Sequence, residues 1–396
     1  MRLMKLFSLL SMLSFAVLLT ACSPSRIYLP ESKVEMAQVA GGSIARMWGD
    51  ELPVDIEERV EVMRRQFGET ADSEVFLHPT NYLAISGGGS SGAFGAGLLK
   101  GWTESGERPD IFIVSGISTG ALIAPFAFLG SDYDLRLEEL YTELSTDDLV
   151  VPRSLVRGLL SDALYDTNRL QDLLREIVDR EMIARIAAEY QRGRRLLIGT
   201  TNLEAGRPVI WNIGAIAQVG TEDADQLIRD VMLASASIPG VFPPVRIRVR
   251  AGGQEYDEIH VDGGVSNQVF LYPAQVDFKK TASVVGVYGA QTVYIIRNGY
   301  LDARWSEVDL KIPSILGSSL DTIIRTQGIG DLYRIYLGTL RDESNFKLAY
   351  IPPEFREPSN ELFDPEYMRA LFKFGYESAR YGYPWANSPP GFEVDD

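Results

Sequence analysis

The 396-residue chain is long enough for one large α/β domain with an extension, or for two smaller domains. Hydrophobic residues make up 45% of it and charged residues 23%, which is typical of a globular protein and argues against a disordered one. The formal net charge of -16 argues against nucleic acid as a partner, because phosphate binding needs a basic surface. An acidic surface also gains nothing from anionic lipid headgroups, so we expect any membrane attachment to be hydrophobic or covalent.

The N-terminal segment has the pattern of a secretory signal peptide. Arg2 and Lys5 form a short positive region, and residues 6–19 form an apolar run too short to span a membrane comfortably. The run ends in "LTAC" (19–22), which resembles the lipobox of bacterial lipoproteins, whose cysteine thiol receives a diacylglyceryl group and becomes the new N-terminus. Cys22 is the only cysteine in the chain, so no internal disulfide is possible.

We therefore expect residues 1–21 to be removed and the protein to be anchored in the bacterial cell envelope through lipidated Cys22. Ser23 rather than Asp follows the cysteine, which in lipoproteins of two-membrane bacteria resembles the outer-membrane sorting signal. The predicted location is accordingly the outer membrane, facing the periplasm. The alternative is an ordinary secreted protein with a chance cysteine.

The rest of the chain divides into three parts. Residues 22–78 are predicted to be a tether with one surface helix, because apolar residues recur at spacings of four, three and four within 55–67. Residues 79–300 alternate strand and helix patterns in units of about 30 residues, which indicates a parallel sheet with helices on its faces. Residues 301–396 are predicted to be a largely helical, aromatic-rich extension packed on the same core.

The pattern of residues 79–300 gives specific elements in chain order. Strands are predicted at 81–86, 111–116, 195–203, 208–214 and 292–299, and helices at 92–106, 118–130, 166–191 and 223–237. Residues 245–264 are predicted to form a hairpin that turns at Gly252-Gly253 and whose second strand ends at Asp262.

A glycine-rich loop, "GGGSSG" (87–92), lies between the first predicted strand and its helix. Successive glycines can direct their amide N–H groups at one point without a Cβ in the way, and ester hydrolysis needs such donors about 3 Å from the oxyanion. The same geometry suits a phosphate group. However, the loop lacks both the Gly-Lys-Ser/Thr ending of a P-loop and the G-x-G-x-x-G spacing, so nucleotide binding is the weaker alternative.

A second strand-to-helix turn carries "GISTG" (116–120), a G-x-S-x-G pattern typical of a nucleophile elbow. The turn places the Ser118 hydroxyl at a helix N-terminus, where the helix dipole favours negative charge. Ser118 follows Gly87 by about one β-α-β unit. Adjacent parallel strands would therefore bring the loop and the elbow together at the carboxyl edge of the sheet.

A reactive serine also needs a base, and the chain has only two histidines. No motif surrounds His78. His260 lies two residues before Asp262, on the same face of the predicted strand but about 6.6 Å deeper, where packing beneath the site is expected and a role as base is the alternative. A carboxylate is therefore the leading candidate. Asp262 stands at a strand end, and Gly263 and Gly264 after it allow a close backbone approach.

Three motifs in this order, "SGGGSSGAFGAG" (86–97), "GISTG" and "DGG" (262–264), resemble the patatin-like phospholipase family. The segment "ASASIPGVFPPV" (234–245) is also similar to the family's sequence before its aspartate strand. The resemblance covers about residues 81–300. It implies a three-layer α/β/α fold with a mostly parallel central sheet, an acyl-lipid substrate and no cofactor.

The resemblance also implies roles for individual residues. Ser118 would be the nucleophile of a Ser–Asp dyad, and Asp262 the base that accepts its proton and then activates water. Backbone amides of the loop would form the oxyanion hole, at Gly87, Gly88, Gly89 and Ser90. Glycines that support the three motifs would be Gly92, Gly116, Gly120, Gly263 and Gly264.

Two points qualify this assignment. The family's loop usually carries Arg or Lys two residues after the third glycine, where this chain has Ser91, and the missing charge weakens the inference to a phospholipid more than that to ester hydrolysis. An aspartate base also has a reference pKa near 3.9, so burial must raise that pKa or the oxyanion hole must supply most of the stabilisation.

The sequence thus predicts a lipid-anchored serine hydrolase of phospholipase A or lysophospholipase type. The alternatives are a non-catalytic envelope lipoprotein that binds lipid or a partner protein on the same fold, and a short-chain esterase or thioesterase. Residues 147–165 are predicted to be core, with a lid over an acyl pocket as the alternative. The aromatic residues of 363–385 are predicted to be packing, and no set of metal ligands is apparent.

Cys22→Ala should leave the protein unlipidated, because the only thiol is lost. Membrane fractionation of cells that express the wild type or the variant measures this. A variant that still fractionates with the membrane would contradict the predicted anchor.

Overall fold

The computed structural model describes residues 26–70, 80–154, 161–286, 288–305 and 307–392. The predicted signal peptide, Cys22 and His78 lie outside the described residues. So does the middle of the 147–165 segment, at 155–160.

The described part of the chain contains eleven strands. In chain order they are β1 (Arg46–Trp48), β2 (Thr80–Ile85), β3 (Ile111–Ile117), β4 (Val151–Pro152), β5 (Tyr165–Asp166), β6 (Arg195–Asn202), β7 (Arg207–Asn212), β8 (Val245–Ala251), β9 (Gln254–Asp262), β10 (Gln291–Arg297) and β11 (Asn345–Tyr350).

Nine of these strands form the central sheet, in the order β1-β7-β6-β3-β2-β10-β11, with β9 also paired to β6 and β8 paired to β9. The five neighbouring strands β6, β3, β2, β10 and β11 all run parallel to one another. Such strands are apolar on both faces because helices cover both. In β2, Leu83 and Ile85 belong to one apolar cluster, and Tyr82 and Ala84 belong to the other.

Helices flank both faces of the sheet. They are α1 (Ile56–Thr70), α2 (Gly92–Glu104), α3 (Thr119–Leu129), α4 (Asp134–Thr142), α5 (Thr146–Leu149), α6 (Asn168–Ile177), α7 (Arg180–Gln191), α8 (Ile213–Ala217), α9 (Glu222–Ser235), α10 (Phe278–Val285), α11 (Ile312–Arg341) and α12 (Pro365–Ala379). Helices α2, α3, α9 and α12 pack in the larger cluster, whereas α10 and α11 cover the opposite face. The predicted three-layer α/β/α fold is confirmed.

The predicted hairpin is confirmed, but its place in the sheet was not foreseen. Gly252 and Gly253 form the turn with φ of 58° and 78°, a conformation that glycine adopts without strain. Strand β9 runs antiparallel to β6, with Asp262 beside Thr200 and His260 beside Asn202. His260 therefore lies nearer the carboxyl end of β6 than Asp262 does. The prediction that it lies deeper in the sheet is wrong.

Two other predictions of secondary structure need correction. Residues 166–191 are not one helical stretch, because α6 ends at Ile177 and α7 starts after Asp179, whose side chain accepts a hydrogen bond from the Met182 amide at 2.8 Å. In the C-terminal extension, β11 was missed. It extends the central sheet beside β10, so the extension completes the sheet as well as covering it.

The extension also packs tightly through α12. A Cβ added at Gly97 in α2 would lie 2.0 Å from the Phe372 carbonyl oxygen of α12, and one at Gly375 would lie 2.4 Å from the Phe94 carbonyl oxygen. The two helix backbones can therefore approach only because these positions lack side chains. Tyr367 and Phe372 are buried in this region, as the predicted packing role requires, whereas Tyr381 is exposed.

Two segments differ in how they meet this core. Leu149 and Val150 are buried, which agrees with the core interpretation of that end of 147–165. The first half of α11 is exposed instead, with Ile312 and Leu316 more than half accessible, although Leu332 farther along is fully buried. No helix in the described ranges has both the length and the apolar character needed to cross a membrane.

Gly97→Ala should lower the free energy of unfolding by about 2 kcal/mol or more, because the new methyl group would meet backbone that cannot yield easily. Gly317→Ala is the matched control. It lies in the exposed half of α11 with nothing within 4 Å, so alanine there should stabilise the helix by up to about 1 kcal/mol. Denaturant unfolding measures both, and a Gly97→Ala protein as stable as the wild type would contradict the close contact between helices.

Candidate active site

Strand register brings the three sequence motifs to one edge of the sheet. Gly116 pairs with Ile85, so the turn after β3 lies beside the glycine loop after β2. Ile117 pairs with Gly199 of β6, and the next residue of β6, Thr200, pairs with Asp262. The serine that follows β3 and the aspartate that ends β9 are thus placed together by backbone pairing.

The turn that carries Ser118 is a sharp strand-to-helix elbow. Ser118 has φ 55° and ψ -126°, a region that non-glycine residues rarely occupy and that is found where the surrounding structure holds it. A Cβ at Gly116 would lie 2.3 Å from the Gly120 carbonyl oxygen, and one at Gly120 would lie 2.2 Å from the Ile85 carbonyl oxygen. The G-x-S-x-G pattern therefore has a steric cause here.

Ser118 and Asp262 are in direct contact. The Ser118 hydroxyl donates a hydrogen bond to Asp262 Oδ2 at 2.7 Å, and both residues are buried, with 7% and 4% of their surfaces exposed. The other carboxylate oxygen, Oδ1, accepts a hydrogen bond from the Gly264 amide at 2.7 Å. Gly263 and Gly264 belong to a 3₁₀ turn, and the carboxylate is thereby held from two sides.

Burial raises the pKa of Asp262 to about 7, although the hydrogen bonds from Ser118 and the Gly264 amide act in the opposite direction. The reason is that a carboxylate loses more hydration than a neutral carboxyl group when it leaves water. At neutral pH the group therefore titrates, which is suitable for accepting and returning a proton. The mismatch between an aspartate base and a serine hydroxyl is thereby reduced.

His260 is occupied elsewhere. Its Nδ1 lies 2.9 Å from Thr200 Oγ1, its Nε2 lies 3.1 Å from Glu258 Oε2, and its ring packs edge-on against Trp211. Glu258 also forms a buried ion pair with Arg46. With both ring nitrogens engaged, His260 has the packing role that the sequence favoured over that of a base.

The glycine loop needs one correction. The Gly87 amide donates to the Gln268 carbonyl oxygen at 3.0 Å, so Gly87 has no free donor for an oxyanion. The amides of Gly88, Gly89 and Ser90 have no acceptor among the described residues, because they precede or begin a helical turn at Gly89–Ser91.

The loop also lies close to the serine and leads directly into a helix. A Cβ at Gly87 would lie 3.1 Å from Ser118 Cβ. The next helix, α2, begins at Gly92. Gly87 therefore brings the loop against Ser118, and Gly89 lines the same cavity as Ser118.

Two supporting residues were missed by sequence reasoning. Ser235 Oγ accepts a hydrogen bond from the Ser118 amide at 3.0 Å and donates to the Gly199 carbonyl oxygen at 2.6 Å, so it fixes the elbow to β6. Gln268 holds Gly87 through its carbonyl oxygen, and its side chain donates to the Gly264 carbonyl oxygen at 2.7 Å. Ser235 lies in the segment that resembled the family, but nothing in the sequence indicated its partner.

A narrow cavity of about 90 Å³ opens at Ser118 and Gly89. Its wall is almost entirely apolar. The lining residues include Leu122 of α3, Leu174 of α6, Met232 of α9 and Phe242 before β8. A larger cavity of about 590 Å³ touches Ile117 and Gly263, but neither Ser118 nor Asp262 lines it. The smaller cavity is therefore the one that the serine faces.

The Ser91 hydroxyl lies 2.9 Å from the Tyr367 hydroxyl of α12, so the loop position without a basic residue is tied to the C-terminal extension. Within the described ranges, no cluster of three or more His, Cys, Asp or Glu side chains is arranged to hold a metal ion.

Residues 83–274 match the family model described as "Patatin-like phospholipase". A patatin-like phospholipase domain-containing protein of Yarrowia lipolytica is 27% identical over 250 residues, which cover 58% of this chain and 28% of that protein. This chain therefore spans little more than a quarter of that relative. The crystal structure of VipD from Legionella pneumophila aligns with a TM-score of 0.35 and 12% identity, over 76% of this chain and 66% of that one.

Asp262→Asn should stabilise the protein much more at pH 8 than at pH 5. A carboxyl whose pKa is raised on folding contributes stability below its unfolded pKa, near 3.9, and loses that contribution as pH rises through about 7. The stability gained by the variant should therefore grow by about 3 kcal/mol from pH 5 to pH 8.

Unfolding in denaturant at the two pH values measures the difference. Ser118→Ala keeps the carboxyl group but loses the hydrogen bond that lowers its pKa, so the stability of this variant should still fall with rising pH, at least as much as that of the wild type. A gain from Asp262→Asn that does not change with pH would contradict the raised pKa.

Proposed function

We propose that this chain, whose residues 83–274 match the patatin-like phospholipase family model, hydrolyses carboxylic esters of acyl lipids, as a phospholipase A or lysophospholipase does. The hydrogen bond between Ser118 and Asp262 carries the proposal. It joins a serine hydroxyl at a strained elbow to a buried carboxylate whose pKa is about 7. Such a pair is a nucleophile with its base already in reach.

The proposed reaction has two halves. Ser118 Oγ attacks the ester carbonyl carbon while its proton passes to Asp262 Oδ2, and the carbonyl oxygen becomes an oxyanion. When the tetrahedral intermediate collapses, the bond to the alcohol breaks and Asp262 gives the proton to the departing alcohol oxygen. Water then donates a proton to Asp262 and its oxygen attacks the acyl carbon of the acyl-serine. When the bond from that carbon to Ser118 Oγ breaks, the fatty acid is released and Asp262 returns the proton to Oγ, which restores both the Ser118 hydroxyl and the carboxylate.

The free amides of Gly88, Gly89 and Ser90 are the donors that we propose for the oxyanion. Preorganised donors at this position account for a large part of the rate enhancement of acyl transfer, since they need no rearrangement when the charge develops. The start of α3 at Thr119 adds the positive end of a helix dipole near the same point.

The apolar cavity at Ser118 supports an acyl chain as the part of the substrate that the site binds. Apolar side chains line it, as in binding sites for hydrocarbon. None of the lining residues is charged, so the cavity has no partner for a charged acyl group. We also propose the lipid anchor at Cys22 and the outer-membrane location, which would hold the site near its substrate. These two proposals rest on the sequence pattern alone.

Labelling with a fluorophosphonate probe tests the nucleophile. The wild type should form an adduct on Ser118, Ser118→Ala should form none, and Asp262→Asn should react at least about 10²-fold more slowly because the base is lost. His260→Ala and His78→Ala should keep their activity. Absence of an adduct on folded wild-type protein would favour the non-catalytic lipid- or partner-binding lipoprotein.

The acyl preference is tested with p-nitrophenyl esters of increasing chain length. Hydrolysis should improve as the chain lengthens, because each further methylene group buried in the cavity adds about 0.8 kcal/mol of favourable transfer energy. A preference for acetate or butyrate would indicate a short-chain esterase, and faster cleavage of thioesters would indicate a thioesterase.

The pH profile of kcat/KM should rise through about pH 7, because Asp262 must be ionised in the free enzyme to accept the serine proton. Initial rates with a soluble ester between pH 5 and pH 9 measure this. An acid limb centred near pH 4 would mean that a carboxyl with an ordinary pKa controls the reaction.

A further inference from the structure

A buried cation lies beneath the glycine loop. Arg297, the last residue of β10, is 2% exposed. No carboxylate among the described residues lies within 4.0 Å of its guanidinium, and Nε has no hydrogen-bond partner there. Asp331, the acid that influences it electrostatically, forms its ion pair with Arg334. An unpaired buried guanidinium is costly to a fold, so its position needs an explanation.

The contacts of Arg297 are directed at the loop. Nη1 donates to the Gly87 carbonyl oxygen at 3.2 Å and to Ser86 Oγ at 3.1 Å, and Ser86 Oγ itself donates to the Gly87 carbonyl oxygen at 2.7 Å. Nη2 lies 3.5 Å from the Ile324 carbonyl oxygen of α11. The guanidinium is thus held against one particular peptide group, the one that joins Gly87 to Gly88.

That peptide group connects the cation to the proposed oxyanion hole. Its carbonyl oxygen accepts from Arg297, and its N–H, on Gly88, is one of the free loop amides. A hydrogen bond to the carbonyl oxygen polarises the peptide and makes its N–H a stronger donor. In a buried site with low dielectric, the cation also interacts directly with negative charge that develops above the loop.

We propose that Arg297 is a positioning residue of the oxyanion hole, which supplies positive charge from beneath the loop through the Gly87–Gly88 peptide. This inference rests on the proposed function. It also accounts for Ser91. The positive charge that the family's loop usually carries at this position is supplied here by Arg297 at the end of β10. The transition state, in which the oxyanion is present, gains more from this charge than the bound ester does.

The chain offers a matched control in Arg195, the first residue of β6. It is 5% exposed, and burial lowers its pKa to about 10, as burial does for Arg297. Its guanidinium donates to the carbonyl oxygens of Tyr190 and Arg194, at the end of β6 opposite to the active site. Arg195→Met therefore removes a buried arginine without touching the loop.

The experiment compares Arg297→Met, Arg297→Lys and Arg195→Met in the full chain, after wild-type labelling has established that Ser118 reacts. Hydrolysis of a soluble p-nitrophenyl ester gives kcat and KM, and thermal unfolding gives the stability. A trifluoromethyl ketone forms an anionic hemiketal with the serine, so its binding measures the affinity for an oxyanion. Arg297→Met should lower kcat by about 10- to 100-fold with KM changed less than about threefold, and should weaken ketone binding in proportion to kcat/KM. Arg195→Met should lower the Tm and leave kcat unchanged.

Arg297→Lys keeps a charge and should retain more activity than Arg297→Met. A buried lysine loses its proton more easily than arginine, so the kcat of the lysine variant should fall at alkaline pH where that of the wild type does not. This fall in kcat at alkaline pH tests the proposal even if Arg297→Met does not fold. A folded Arg297→Met with kcat within about threefold of the wild type, or a lysine variant without the alkaline fall, would overturn the proposal. A wild type that the probe does not label would instead overturn the proposed function.

Discussion

One hydrogen bond, from the Ser118 hydroxyl to the Asp262 carboxylate, is the contact on which the proposed chemistry of this protein depends. The two residues are far apart in the chain, and two strand pairings bring them together. Parallel pairing of β3 with β6 sets the elbow, and antiparallel pairing of β6 with β9 carries the aspartate to it. Because register is strongly specified in a sheet buried on both faces, the backbone fixes the distance between these side chains.

The same site is maintained against several local costs. Ser118 has a positive φ, Asp262 is buried with a raised pKa, and Arg297 is a buried cation that forms no ion pair with any of the residues that the structure describes. Each of these features destabilises the folded chain, and the tightly packed sheet and helices offset them. They also complement one another chemically, since a strained nucleophile, a basic carboxylate and a positive charge beneath the loop are what the proposed oxyanion mechanism requires.

Local signals in the sequence predicted the sheet core, the elbow and the hairpin, because apolar runs, glycine positions and turn residues act over a few neighbours. They did not predict that β9 runs antiparallel to β6, that β11 joins the sheet, or that the Gly87 amide is bound by Gln268. Each of these depends on pairing between distant segments. Arg297 could not be assigned a role from sequence, since its significance lies in the peptide that it contacts.

The central claim is that burial raises the pKa of Asp262, and a measurement of this pKa tests it most directly. A ¹³C NMR titration of the wild type, with the Asp262 carboxyl signal identified by its loss in Asp262→Asn, measures that pKa without any substrate. The structure predicts a midpoint at about 7, with burial as the cause. A midpoint near 4, the ordinary value for a solvated aspartate, would contradict the account.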